Sequence, residues 1–354
     1  MLDVFKKWKR SLTPRVGIDL GTANTLVYVE GRGIVANEPS IVAVNQKTGQ
    51  VVAVGTQAKQ MLGRTPGHIQ AIRPLVDGVI SDFEVTEEML SYLLSKAQKG
   101  TKGFWGPEIV IGVPTGITNV ETRAVRDAAR NAGASEVHIV EEPMAAAIGV
   151  RLPVMEPLGS MVVDIGGGTT DIAVISLGGT VNAKSLKIAG DRFNSDIVNY
   201  IRNEFKILVG EKTAEAVKMK IGSILPGETA EEMAIKGRDL VTGLPREVIV
   251  TDADVREAIA PSLGTLVEAV KEVVESTPPE ILSDVMQRGM YLVGGGSLIK
   301  RLDQALTDYT KIPVHIAPDP LTAVVRGTGV ILEKLEIYKD VLIAHEDALP
   351  PKKK

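Results

Sequence analysis

The chain predicts an α/β protein of two duplicated domains, each built around a hairpin that carries an aspartate and glycines. In Val162-Val163-Asp164-Ile165-Gly166-Gly167-Gly168-Thr169-Thr170-Asp171 an apolar run ends in a carboxylate ahead of three glycines, and Ile172-Ala173-Val174-Ile175 supplies the returning strand. Val16-Gly17-Ile18-Asp19-Leu20-Gly21-Thr22-Ala23-Asn24-Thr25, followed by Leu26-Val27-Tyr28-Val29, has the same layout, with Asp19 in the place of Asp164. A unit of this size, present twice and far apart, indicates a doubled domain rather than a solenoid of many short repeats. Strands and helices alternate around both hairpins, as in mixed sheets covered by helices.

Residues 12–32 hold the first hairpin, and residues 33–75 hold short strands around Gly49 with a helix-like stretch near Lys59. Residues 87–97 read as a helix. Residues 109–114 form a buried strand ended by Pro114, residues 119–132 an amphipathic helix stopped by Gly133, and residues 137–140 resume the sheet. Beyond the second hairpin, residues 191–205 and 213–222 read as helices, and 228–251 as short strands and turns around Gly237 and Gly243. A long helix follows over 253–276 and ends before Pro278-Pro279. A third glycine turn, Gly294-Gly295-Gly296-Ser297, comes after the strand Tyr291-Leu292-Val293 and before a helical pattern over 298–302. Residues beyond about 318 are expected to cross back to the first domain, leaving a solvated charged tail over 346–354.

A chain of 354 residues, 44% hydrophobic and 24% charged, is long enough for two sizeable cores. A net charge of −4 gives no reason to expect nucleic acid as a partner. With no cysteine, disulfides, thiol catalysis and Cys-ligated zinc are excluded, which fits a reducing compartment. No apolar run approaches the ~20 residues that span a bilayer. The basic N-terminus lacks the apolar region and cleavage site of a secretory signal, so a cytoplasmic protein is expected.

Glycines without Cβ let backbone N–H groups approach phosphate oxygens, and a carboxylate beside them can hold hydrated Mg²⁺. On this reading Asp19 and Asp164 sit on the turns and reach Mg²⁺ through its waters. No glycine loop ends in Gly-Lys-Ser or Gly-Lys-Thr, and the first hairpin has no Lys or Arg. Phosphate binding then falls to backbone N–H groups, Thr22, Thr25 and the metal, which fits slow hydrolysis. The third turn is placed to cover a base or ribose. Glu142 precedes Pro143 and the small run Ala145-Ala146-Ala147, so a strand-end carboxylate enters a helix expected to pack tightly between domains. The residues alone leave open whether Glu141 or Glu142 orients a water or only charges the first turn, worth ~0.3–1 kcal/mol. Glu215 and Lys218, three residues apart on one helix face, read on their own as a solvated ion pair. His68, His138, His315 and His345 are scattered without metal spacing and are assigned no chemistry.

Two such hairpins and a later glycine turn resemble the ATPase core shared by actins, DnaK-type chaperones and sugar kinases. Within it the chain is similar over nearly its whole length to the bacterial actins of the MreB family. The segments that carry the resemblance are Gly63-Arg64-Thr65-Pro66-Gly67-His68, Arg73-Pro74-Leu75-Val76-Asp77-Gly78-Val79-Ile80, Glu141-Glu142-Pro143-Met144-Ala145-Ala146-Ala147 and Lys236-Gly237-Arg238-Asp239-Leu240. The resemblance implies an actin-like ATPase fold: two duplicated α/β domains around an interdomain nucleotide cleft, each with a smaller subdomain. Its domain I would span 13–155 plus 319–345, with 33–75 as the small part; domain II would span 156–318, with 191–249 as the small part.

The same resemblance implies ATP or ADP with Mg²⁺ as cofactors. The nucleotide would be held by Asp19, Gly21, Thr22, Ala23 and Asn24, by Gly166, Gly167, Gly168 and Thr169, and by Glu215, Lys218, Gly294, Gly295, Gly296 and Ser297. Asp19 and Asp164 would serve the metal, Glu142 and Thr169 would position the attacking water beside Asp164, and Asp171 would support the second hairpin. The implied function is a slow ATPase that polymerises with itself into membrane-attached filaments and maintains rod shape by organising cell-wall synthesis. Implied partners are the inner face of the cytoplasmic membrane and the cell-wall elongation and rod-shape membrane proteins. Two rivals share the superfamily. A monomeric DnaK-type chaperone is disfavoured because nothing after the ATPase region forms a peptide-binding domain, and a small-molecule kinase would need a co-substrate.

At 100° per residue, Leu2, Val4, Phe5, Trp8 and Leu12 fall on one side of an N-terminal helix, and Lys6, Lys7 and Arg10 on the other, with Lys9 snorkelling at the rim. Residues 1–12 therefore suit an anionic membrane surface, the alternatives being a disordered basic leader or a helix docked on its own protein. Phe104 and Trp105 stand together in a loop of Gly, Lys and Pro, where they either insert into a membrane or partner or fold back. The family resemblance favours insertion.

Overall fold

The computed structural model describes residues 13–99 and 106–344, which fall into two compact units. The first takes residues up to 156, 177–179 and those from 322; the second takes 157–176 and 180–321. Residues 1–12 and 100–105, with the proposed membrane contacts Leu2, Phe5, Trp8, Leu12, Phe104 and Trp105, lie outside the described residues, as does the tail.

In the first unit, β1 (Arg15–Leu20) and β2 (Asn24–Val29) form the antiparallel hairpin, and β3 (Gly33–Pro39) pairs with β2. Next come β4 (Val42–Asn45), β5 (Val51–Val54), helix α1 (Thr56–Met61) and β6 (Ile69–Ile72). The ribbon β7 (Leu75–Val76) and β8 (Val79–Ile80) leads to α2 (Phe83–Gln98), β9 (Glu108–Val113), α3 (Asn119–Asn131), β10 (Glu136–Glu141) and α4 (Glu142–Gly149). The large sheet runs β10-β9-β1-β2-β3, with β9 and β10 parallel to β1. Every residue of β9 is buried, the near-continuous apolar run of a parallel strand covered on both faces. Helix α2 starts at Phe83 rather than 87, because the Asp82 side chain accepts the Val85 N–H as an N-cap. Thr118 and Glu121 close a capping box on α3. A small sheet, β5-β4-β6, starts at Val42 rather than residue 33, since β3 belongs to the large sheet.

The second unit repeats this plan. β11 (Ser160–Ile165), β12 (Thr170–Ser176) and β13 (Gly179–Leu186) precede α5 (Gly190–Glu204), β14 (Ile207–Leu208) and α6 (Glu211–Ile221). Then follow β15 (Glu232–Asp239), β16 (Pro245–Thr251), α7 (Asp252–Glu275), α8 (Pro279–Arg288), β17 (Met290–Val293), α9 (Leu302–Thr310) and β18 (Val314–Ile316). Its large sheet runs β13-β12-β11-β17-β18. Read from the other edge, the first sheet is β3-β2-β1-β9-β10, so the two orders match strand for strand. In both, the first two strands are antiparallel and the next neighbour is parallel. The smaller sheet is β14-β15-β16.

Three expectations are corrected here. Asp19 and Asp164 lie inside β1 and β11, opposite Leu26 and Asp171, and not on the turns. The span 228–251 is a regular hairpin rather than short strands and turns; Gly237 sits in β15, where a Cβ would come within 2.7 Å of the Leu208 carbonyl. The pattern over 298–302 is not an α-helix: a 3₁₀ turn covers Gly295–Leu298, Arg301 is left-handed at φ +63°, and α9 begins at Leu302.

The chain returns to the first unit with α10 (Ala323–Glu333) and the short α11 (Leu335–Tyr338). The small residues of α4, expected to pack between domains, pack on α10 within this unit. A Cβ on Gly149 would fall inside the Ala323 carbonyl, and one on Gly327 inside the Ala145 carbonyl, so the two backbones touch.

Candidate nucleotide site

Asp19 and Asp164 hold equivalent places, each the fifth residue of a six-residue strand. The two turns that follow are shaped by where their carbonyls go. In the first, the Gly21 carbonyl accepts the Ser40 hydroxyl at 2.6 Å and the Ala23 carbonyl accepts the Ser40 N–H at 3.0 Å. In a planar trans peptide the next N–H points opposite its carbonyl, so the N–H groups of Thr22 and Asn24 turn away from Ser40. In the second, the Gly166 and Gly167 carbonyls accept N–H groups of Gly190 and Asp191 at the start of α5, at 3.1 and 2.8 Å. The N–H groups of Gly167 and Gly168 therefore point away from α5. The Gly166 N–H closes the hairpin on the Thr169 carbonyl at 2.9 Å, so Gly166 shapes the turn.

The hydroxyls divide differently from expectation. Thr25 is fully buried and its Oγ1 lies 2.9 Å from Ser40 Oγ, which makes it part of the hairpin's support and not a phosphate ligand. Thr22 Oγ1 accepts the Gly78 N–H at 2.9 Å, tying the β7–β8 turn to the hairpin while keeping its own proton. Asn24 donates to Asn37 Oδ1. Thr170 donates to the Ile188 carbonyl at 2.6 Å.

Asp164 and Asp171 face each other across β11 and β12, both buried. Two carboxylates so placed favour a nearby cation. Asp19 keeps some solvent access, yet the protein packed around it pushes its carboxyl up to about 7. Desolvation is the cause, and a carboxylate so placed gains from a neighbouring cation, a donor chemistry that fits hydrated Mg²⁺.

The third glycine turn packs straight onto the second hairpin. A Cβ on Gly294 would collide with Asp164 and the Ile165 carbonyl, and one on Gly296 with the Ile165 side chain. Gly294 donates its N–H to the Pro320 carbonyl at 2.9 Å, and the buried Ser297 hydroxyl donates to the Gly294 carbonyl at 2.6 Å. Ser297 thus closes the turn. Glu142, buried, is the first residue of α4; a Cβ on Gly112 would come within 3.3 Å of its Cγ, so Gly112 leaves room for this carboxylate.

Lys218 on α6 is mostly buried and donates to the Gly190 carbonyl at 2.8 Å. Burial holds its ammonium below the ordinary lysine range, against the attraction of Asp191, Glu215 and Glu211. Glu215 is thus an electrostatic neighbour of Lys218, and the pair stands at the root of the second hairpin.

A family model described as MreB/Mbl protein matches residues 13–340. The chain belongs to the MreB/Mbl family. It is 50% identical over 322 residues to the cell shape-determining protein Mbl of Bacillus cereus, covering 91% of this chain and 96% of that one. It is 49% identical over 347 residues to the cell shape-determining protein MreB of Escherichia coli, covering 97% and 100%. Among solved structures, MreB5 of Spiroplasma citri bound to ADP superposes with a TM-score of 0.87 at 40% identity, covering 92% of this chain and 97% of that one. The MamK double helical filament gives 0.78 at 25% identity, covering 91% and 99%. The fold is the actin-like ATPase fold of this family, and neither rival reading is favoured.

Sequence reasoning on this MreB/Mbl chain missed Ser40 and Gly190, which tie down the carbonyls of the two turns. Ser40 sits in Pro39-Ser40-Ile41 with no motif around it, so nothing local signals its contact. Gly190 opens α5 in Ala189-Gly190-Asp191, and a glycine at a helix start was the one available hint.

Proposed function

We propose that this MreB/Mbl protein binds ATP with Mg²⁺, hydrolyses it slowly, and assembles with itself into filaments on the inner face of the cytoplasmic membrane that organise cell-wall synthesis and maintain rod shape. The observation that carries the nucleotide reading is the matched pair of hairpins, each with a strand aspartate and with turn carbonyls tied back so that N–H groups point outward. The N–H groups of Thr22 and Asn24, and of Gly167 and Gly168, donate to phosphate oxygens. Asp19 and Asp164 hold the waters of Mg²⁺, which when bound offsets the phosphate charge. Glu142 accepts a proton of the attacking water and Thr169 orients it. With no Lys or Arg in either turn, charge development in the transition state is met mainly by backbone dipoles, which supports slow turnover. Gly294, Gly295 and Gly296 lie against the nucleoside, with Glu215 and Lys218 beside it.

Relatives bound to ADP and AMPPNP, at 40% and 39% identity, support the nucleotide, and the MamK filament supports self-assembly. The membrane reading rests on residues 1–12 and on Phe104 and Trp105, and the link to wall elongation and rod-shape membrane proteins rests on family membership. Among the described residues no helix is long and apolar enough to cross a membrane.

The test is nucleotide titration and phosphate release on two variants. Asp164→Ala is expected to abolish Mg²⁺-dependent ATP binding, and Glu142→Ala to keep binding while hydrolysis falls about 10²-fold or more. Equal hydrolysis by wild type and Glu142→Ala would remove that carboxylate from the mechanism.

A further inference from the structure

At the opposite end of the first sheet from Asp19, β1, β9 and β10 begin in a row of charged side chains. Arg15 pairs in register with Glu108, and Glu108 with Glu136. His138 lies two residues beyond Glu136 and so points to the same face of β10. The row stands four residues, roughly 13 Å, from Asp19 along β1. It is therefore separate from the phosphate hairpin on the same strand.

We propose that Glu108, Glu136 and His138 bind a first-row divalent cation of the zinc class. His138 Nε2 is 3.2 Å from Glu108 Oε1 and 3.7 Å from Glu136 Oε1, and donor atoms of all three lie within 4.8 Å of one another. A tetrahedral ion with bonds of about 2.0–2.1 Å sets its ligand atoms about 3.4 Å apart, so the two imidazole–carboxylate distances stand close to the spacing one ion requires. Three protein donors leave the fourth position to water. The imidazole selects the zinc class over Mg²⁺, which takes oxygen ligands in octahedral geometry.

The surroundings support the assignment. Arg15 Nε forms an ion pair with Glu108 Oε2 at 3.3 Å, which leaves Oε1 as the oxygen beside the His138 imidazole. Arg15 in turn is held by Glu30 at 2.8 Å. Three carboxylates (Glu30, Glu108, Glu136) and one guanidinium (Arg15) sum to −2, the charge a divalent ion neutralises. In the sequence His138 stands without metal spacing, because Glu108 lies on a separate strand thirty residues away.

The experiment is competition for Zn²⁺ against a chromophoric indicator, on the full chain free of nucleotide and with Mg²⁺ in excess. One equivalent of Zn²⁺ per chain is expected, not displaced by Mg²⁺. His138→Ala and Glu136→Gln should each weaken uptake about tenfold or more, whereas His68→Ala, at an exposed histidine, should match wild type. Glu136 is well exposed, so its variant stays informative should His138→Ala fail to fold. Equal uptake by wild type, Glu136→Gln and His138→Ala, or displacement by Mg²⁺, would overturn the site and leave a His-Glu ion pair. Neither result bears on ATP binding, which the Asp164 variant tests separately.

Discussion

Ser40 is a hydroxyl with two tasks. It donates to the Gly21 carbonyl, so Thr25 donates to it, and both hydroxyls are withdrawn from solvent. Replacing Ser40 with Ala leaves a buried carbonyl and the Thr25 hydroxyl unsatisfied, at about 1–3 kcal/mol. A lowered urea midpoint is expected for Ser40→Ala, and ATP affinity should fall with it because the Thr22 and Asn24 N–H groups lose their fixed aim. Unchanged affinity in a destabilised variant would mean that the hairpin holds its shape without Ser40. The two matched hairpins around Asp19 and Asp164 were legible in the sequence because the order of apolar run, aspartate, glycine and returning apolar run occurs twice. Ser40 and Gly190 were not, since a side chain or backbone N–H that supports a loop from another strand or helix leaves no local mark.

Among elements, the joint between α4 and α10 depends on two glycines. Gly327→Ala would drive a methyl into the Ala145 backbone, which cannot yield as a side chain tip can. A loss near the upper end of ~1–3 kcal/mol is expected, read as a shift in the denaturation midpoint. If midpoints coincide, the helices are free to separate. The β15–β16 hairpin has a different device. Asp239 accepts N–H groups of Val241 and Thr242 at 2.8 Å and the Arg246 guanidinium at 3.1 Å. The backbone N–H groups, foremost that of Thr242, hold its carboxyl down at about 2. A carboxyl lowered in the folded state stabilises above its ordinary value of 3.8, and this is lost as pH falls through about 2. Acid titration followed by circular dichroism should find wild type more stable than Asp239→Asn near neutrality, the gap closing across that window. A gap that persisted at the acid end would locate the effect elsewhere. Most helices and strands were legible from periodicity and caps. The exceptions were the stretch over 298–302, where Arg301 turns left-handed, and the hairpin over 232–251, where Gly237 read as a turn.

For the whole molecule, the doubled strand order is the strongest structural statement, because two sheets with matching neighbours and matching parallel or antiparallel sense repeat one plan. Deleting residues 1–12 is expected to weaken co-sedimentation with anionic liposomes while leaving ATP-dependent light scattering in place. Undiminished sedimentation would reject the N-terminal anchor. The sequence alone determined the doubling, the two aspartate-and-glycine hairpins and the family, since motif order and hydrophobic period are properties of residues in order. Tertiary structure alone decided that the aspartates sit within strands, that Ser40 and the start of α5 draw the turn carbonyls back, and that His138 meets Glu108. Each is a contact between separate elements, and its partner is chosen by how strands register and helices pack, which no local window of residues records.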